Sequence, residues 1–171
     1  MFTGPMLRAI VLLPGTALVA IPAIILWLTG ETAYGGHLAP SASPWFWLAL
    51  PLFAVGFTLM GATMRMFMRI GKGTPAPWAP PRKLVVAGVY RRVRNPMISG
   101  VITVLLGESL LFQSLPLLAW AITFALANWV YIPRWEEPAL YARFGEDYRR
   151  YSANVPRWIP RLKPWMGEAG E

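Results

Sequence analysis

Residues 96–133 read PMISGVITVLLGESLLFQSLPLLAWAITFALANWVYIP, 38 residues with a single charge, Glu108. One α-helix of that length would be roughly 57 Å long at 1.5 Å per residue, far more than the ~30 Å of hydrocarbon in a bilayer. The stretch offers a break at Gln113-Ser114-Leu115-Pro116, and proline suits the first turn of a new helix. It therefore predicts a tight hairpin of two membrane helices, 97–112 and 116–132. Each arm is roughly 24–26 Å by the same rise, a little short, so local thinning or flanking aromatics must help it span.

Working outward, residues 9–28 and 45–64 are two further stretches of 20 residues without a charge. Each is long enough to cross a bilayer, with kinks expected at Pro14, Pro22 and Pro51. The first run is too long for a signal peptide, and Thr29-Gly30-Glu31-Thr32 is a poor cleavage site, so a retained anchor is expected. The whole chain agrees: of 171 residues, 56% are hydrophobic and 14% charged, with mean hydropathy +0.44. That is too apolar for a disordered chain or an ordinary soluble domain. Cysteine is absent, which excludes disulfides, thiolate metal sites and a cysteine nucleophile. One histidine, His37, in an outer loop, makes a metal site unexpected.

The 16 basic residues outnumber 8 acids, giving a net charge of +8. Their positions decide what the charge means. Arg8 precedes the first span. Arg65, Arg69, Lys72, Arg82, Lys83, Arg91, Arg92 and Arg94 lie between the second and third. Arg134, Arg143, Arg149, Arg150, Arg157, Arg161 and Lys163 follow the fourth. The loop 29–44 and the hairpin turn carry none. Positive residues stay cytoplasmic, so the sorting predicts four spans with both termini inside, and nucleic acid drops out as a partner. Trp27, Trp45, Trp47 and Trp129 sit near span ends, as interfacial aromatics do. The expected fold is all-α: a polytopic membrane protein of four transmembrane helices and a C-terminal amphipathic cytoplasmic helix, in one domain over residues 1–171. Residues 71–81 read as a Pro/Gly-rich loop and 165–171 as a frayed tail.

The cytoplasmic parts carry the chemistry. After the fourth span, Tyr141, Phe144, Tyr148 and Tyr151 recur at spacings of three and four, which predicts an amphipathic helix along the headgroups or folded over the helix ends. Glu136, Glu137 and Pro138 suit its first turn without any functional role. Before the third span stands LVVAGVYRRVRNP (84–96). Asn95 and Pro96 fit a helix start. The basic run reads equally as a segment held by anionic lipid or as an anion site built from the helix N-terminus and the Gly88 backbone.

The pattern Leu-Val-x-x-Gly-x-Tyr-x-x-x-Arg-Asn-Pro-x-x-x-Gly (84–100), followed by Glu-Glu-Pro-x-Leu-x-x-x-Phe-Gly-x-x-Tyr-x-x-Tyr (136–151) and Val155-Pro156, resembles the isoprenylcysteine carboxyl methyltransferase and phospholipid methyltransferase group of integral membrane enzymes. The resemblance covers residues 83–160, about half the chain. It implies S-adenosylmethionine as methyl donor and a lipophilic acceptor reached from the bilayer of an inner or plasma membrane, with the site cytoplasmic. In that family the positions of Leu84 and Val85, Tyr90, and Asn95, Pro96, Met97 and Ile98 contact the cofactor, as does the first glutamate, here Glu136. Gly88, Arg94 and Glu137 flank them and complete the expected cofactor set. The chemistry suits the residue types: a carboxylate accepts hydrogen bonds from an ammonium or ribose, and peptide N–H groups at a helix mouth hold a carboxylate.

The chain departs from the family at three positions. Asn95 replaces the usual histidine and cannot carry charge. Ile98 replaces a tyrosine. Ile132 stands where the carboxyl-methylating branch has an arginine, and Arg134, two residues on, is the nearest candidate for the substrate. These changes weigh against a carboxylate acceptor. They keep open a non-catalytic scaffold of the same fold. A nicotinamide-dependent reductase related to the sterol reductases is a third reading, although those proteins are longer and have more spans. Glu108 is costly inside a bilayer, which makes it a functional candidate. The plainer reading is a protonated or hydrogen-bonded group near the end of a short helix. The MRMFM run (64–68) reads as lipid or core packing.

Overall fold

A computed structural model describes residues 14–71 and 83–167. Within them the chain is helical, with no strand: α1 (Thr16–Thr29), α2 (Pro44–Gly71), α3 (Pro96–Leu111) and α4 (Leu115–Asn154), plus a 3-10 turn over Gly88–Arg91. Arg8, the start of the first expected span, and positions 72–81 of the Pro/Gly-rich loop lie outside the described residues. α2 and α4, of 28 and 40 residues, are long and apolar enough to cross a membrane; α1 and α3 are apolar but shorter. Little of the long helices' apolar surface is covered. Trp47, Phe57, Leu126 and Trp129 all stand exposed, an arrangement that suits lipid and is costly in water at ~25 cal/mol per Å².

The hairpin forms where the sequence offers its break. α3 ends at Leu111, α4 begins at Leu115, and Pro116 takes the second position of α4. Gln113 turns the chain at φ 47°. The Ser114 hydroxyl then accepts from the Leu117 N–H (3.4 Å), capping α4.

The end of the fourth expected span differs. Pro133 lacks an N–H and would break an α ladder, yet the helix continues. Residues Ile132–Glu136 form a π turn, in which the Glu137 N–H reaches back five residues to the Ile132 carbonyl. The expected fourth span and the expected amphipathic helix after it are therefore one helical run. The run bends further on, at Gly145 (φ 53°, ψ −125°), a conformation that only glycine adopts readily.

The chain divides into two compact units, one of Met1–Thr58 with Gly100–Ala127, the other of Leu59–Ser99 with Asn128–Glu171. In the first, α2 and α3 approach closely. A Cβ on Gly56 would lie 2.5 Å from Val104 Cγ2 and 2.8 Å from the Gly100 carbonyl oxygen, the small-residue contact common between membrane helices. Trp120 Nε1 donates to the Ala17 carbonyl (3.1 Å), joining α4 to α1. The loop that carries the exposed His37 lies against the hairpin turn, with the Ala39 N–H donating to the Leu111 carbonyl (2.7 Å). Glu108 is half-buried in α3, and its Oε2 is buried without a hydrogen-bond partner among the described residues.

Candidate functional site

The second unit brings together the two motifs that lie about 40 residues apart in the chain. Leu84 and Val86 pack into a cluster with Tyr148, Tyr151 and Val155, to which Leu140, Phe144 and Trp165 add their side chains. Val85 beside them is buried. At Gly88 the backbone turns with φ 49°, and a Cβ there would collide with Met66 Cε. The positive φ is what favours glycine, since the Met66 methyl is the far end of a flexible side chain and could move aside. The 3-10 turn that follows seats Tyr90 in the interior, edge-on to Phe67 (centroids 5.8 Å apart). The Tyr151 hydroxyl donates to the Tyr90 carbonyl oxygen (2.8 Å).

Below this lies an ion triplet. Arg94 Nη1 donates to Glu137 Oε1 (2.8 Å). Arg157 grips the same carboxylate with two bonds, Nε to Oε1 (2.8 Å) and Nη2 to Oε2 (2.7 Å). Two parallel bonds from one guanidinium are the strong geometry for such a pair. The backbone ties the same segments. The Arg94 N–H donates to the Pro156 carbonyl (2.9 Å), and Asn95 Nδ2 to the Arg157 carbonyl (3.3 Å). Both oxygens of Glu137 are thus engaged, and its residue is buried. The expected placement of Glu137 and Arg94 on the cofactor meets a structure in which they hold each other.

Glu136 is the opposite case. Its residue is exposed, and no described residue gives its carboxylate a hydrogen bond or an ion pair. The surrounding protein, and then the Glu137 charge beside it, push its carboxyl above the usual range. Its charge is also felt at Tyr90, whose phenol is held well above its usual range by burial first, then by Tyr151 and Glu136. Glu136 and Tyr90, from different motifs, are therefore within electrostatic reach of each other.

The remaining expected residues divide by access. Pro96 opens α3 and is fully buried; Met97 and Ile98 are half-buried in its first turn. The Ser99 N–H donates to the Asn95 carbonyl (3.0 Å), so the Met97 and Ile98 N–H groups precede the helix's own ladder, as first-turn donors do. Arg134 is exposed within the π turn, while Ile132 beside it is buried. Among the described residues no three acidic or histidine side chains come together as a metal site would need.

Some site residues gave no signal in the sequence. Arg157 read as one of many basic residues, and only its proximity to Glu137 distinguishes it. Thr63 is fully buried near Tyr90, and its hydroxyl falls outside hydrogen-bonding geometry with any described residue. The expected frayed tail is tied down at its start: the Trp165 N–H donates to the Arg91 carbonyl (2.8 Å), and its ring packs on Tyr151.

Two comparisons with known proteins bear on this geometry. A family model described as phospholipid methyltransferase matches residues 44–147, which take in Tyr90 and Glu136 and stop short of Arg157. A search among curated proteins finds no match.

Proposed function

The chain belongs to the phospholipid methyltransferase family, and from that premise we propose that it is an integral membrane enzyme that transfers a methyl group from S-adenosylmethionine to a lipophilic acceptor. The observation that carries this reading is Glu136: accessible, without a partner among the described residues and within electrostatic reach of Tyr90, while its neighbour Glu137 is fully engaged. The residues fit the donor. The Glu136 carboxylate suits an ammonium or ribose hydroxyls. The first-turn N–H groups of Met97 and Ile98, at the positive end of α3, suit a carboxylate. Leu84, Val85 and Gly88, in the same unit, would add apolar wall and backbone. When bound, S-adenosylmethionine supplies an electrophilic methyl carbon on a sulfonium. The chain's own contribution is to orient and to exclude water, since in-line displacement depends on alignment more than on acid–base groups. Arg134, exposed on the π turn, would suit the acceptor's polar head. Four spans with both termini and the site on the cytoplasmic side complete the proposal, supported by the charge sorting.

Calorimetry with S-adenosylhomocysteine on the detergent-purified protein tests it. Binding should be measurable and fall at least about tenfold, 1.4 kcal/mol, in Glu136→Ala. Equal binding in parent and variant refutes the assignment of Glu136. Absence of binding in the parent refutes the enzyme and favours a scaffold.

A further inference from the structure

Residues 155–167, VPRWIPRLKPWMG, contain three basic residues and no acid. They form no helix, yet they are firmly held. The Arg161 N–H donates to the Arg92 carbonyl (3.0 Å), the Trp165 N–H to the Arg91 carbonyl (2.8 Å), and Arg92 Nη1 to the Leu162 carbonyl. This anchored strap presents large apolar side chains outward. Leu162 is 91% exposed, Ile159 80% and Met166 72%. A strap fixed by its backbone holds these side chains out, and none of the described residues covers them.

Two observations identify the cover. The first is position. Trp158 stacks on Trp129 of α4 (centroids 5.8 Å apart, planes 7° apart). Trp129 stands three residues before Ile132, where the apolar run of α4 ends. The strap is therefore level with the end of a helix able to cross a membrane, where headgroups begin. The second is charge. Arg161 and Lys163 flank Leu162, and Lys83, Arg91 and Arg92 add to the same unit. A basic rim around protruding apolar side chains is the chemistry of an anionic lipid surface.

We infer that the strap 155–167 docks on the anionic headgroup layer of the bilayer, with Leu162, Ile159 and Met166 inserted among the lipids and Arg161 and Lys163 on the phosphates. The docking is independent of methyl transfer and would fix the strap, and through Arg157 the Glu137 carboxylate, against the membrane.

The chain has no cysteine, so Leu162→Cys is a unique attachment point for a spin label on the full chain. The labelled protein is reconstituted in phosphatidylcholine vesicles with and without phosphatidylglycerol. Power saturation then compares access of oxygen with that of a water-soluble nickel chelate. With phosphatidylglycerol the label should favour oxygen and lose access to the chelate. Molar salt, or Arg161→Gln with Lys163→Gln, should return it toward water. A label that stays in water in both lipids overturns the inference and leaves a protein partner as the cover. A label equally deep in both lipids and indifferent to salt overturns the anionic requirement.

Discussion

Replacing Glu137 with alanine should unfold the second unit more readily while S-adenosylhomocysteine binding through Glu136 persists. The structure sets the size. The Glu137 side chain is 9% exposed and that of Arg94 11%, whereas that of Arg157 is 30% exposed. Removing the carboxylate strands the Arg94 guanidinium, whose Nε already lacks a partner among the described residues. Breaking a buried pair by deleting one member costs about 3–5 kcal/mol. Arg157 can regain water through its open face, so the lower bound applies, about 3 kcal/mol, because partly exposed pairs are screened. In a chain of this size each kcal/mol moves Tm by about 2–4 °C, so the loss should read as about 6–12 °C. Arg157→Ala removes two bonds but leaves Glu137 paired with Arg94, and should cost about 1–2 kcal/mol. The double variant should fall close to Glu137→Ala alone, because both changes act on one network. Thermal scans in detergent, followed by tryptophan fluorescence, measure all three. A Glu137→Ala protein with unchanged Tm and abolished S-adenosylhomocysteine binding would refute the structural role and return Glu137 to the ligand.

Two further outcomes follow from single residues. The Glu136 carboxyl is raised in the folded chain by burial and by Glu137, so the stability it contributes is full below its unfolded pKa and is lost as pH rises through the folded one. Glu136→Gln should therefore gain Tm over the parent at neutral pH and match it near pH 4; an equal gain at both would show that charge is not the cause. Gly145→Ala meets no atom within 4 Å, so its cost is backbone strain alone, about 1–3 kcal/mol, and a denaturant titration showing no loss would mean α4 does not need its bend.

The hairpin was legible because its evidence is local. A charge-poor run too long for one helix, interrupted by a polar pair and a proline, allows few foldings, and both ends of α3 and the start of α4 fall within a residue of the expected bounds. Pro133 misled by the same local logic. The missing N–H argues for a stop, but a π turn passes it and keeps the helix whole. At the site, two adjacent glutamates are equivalent in the sequence. What separates them is Arg157, 20 residues on, and no spacing rule connects those positions. The end of α2 was likewise silent. Met66 and Phe67 read as packing, and they do pack, but against Gly88 and Tyr90 in the candidate site. Trp165 read as tail because composition does not reveal a backbone hydrogen bond to Arg91.

The five residues Ile132–Glu136 hold one more residue than an α turn needs, and the wide turn absorbs it, since five residues at the π pitch rotate the chain roughly as far as four at 100° each. The helix beyond keeps the phase that sets Glu137 against the two arginines. A residue inserted between Glu136 and Glu137 would have no such turn to absorb it and would swing that helix by about 100° around its axis. Glu137 would leave the two arginines with every motif letter still intact.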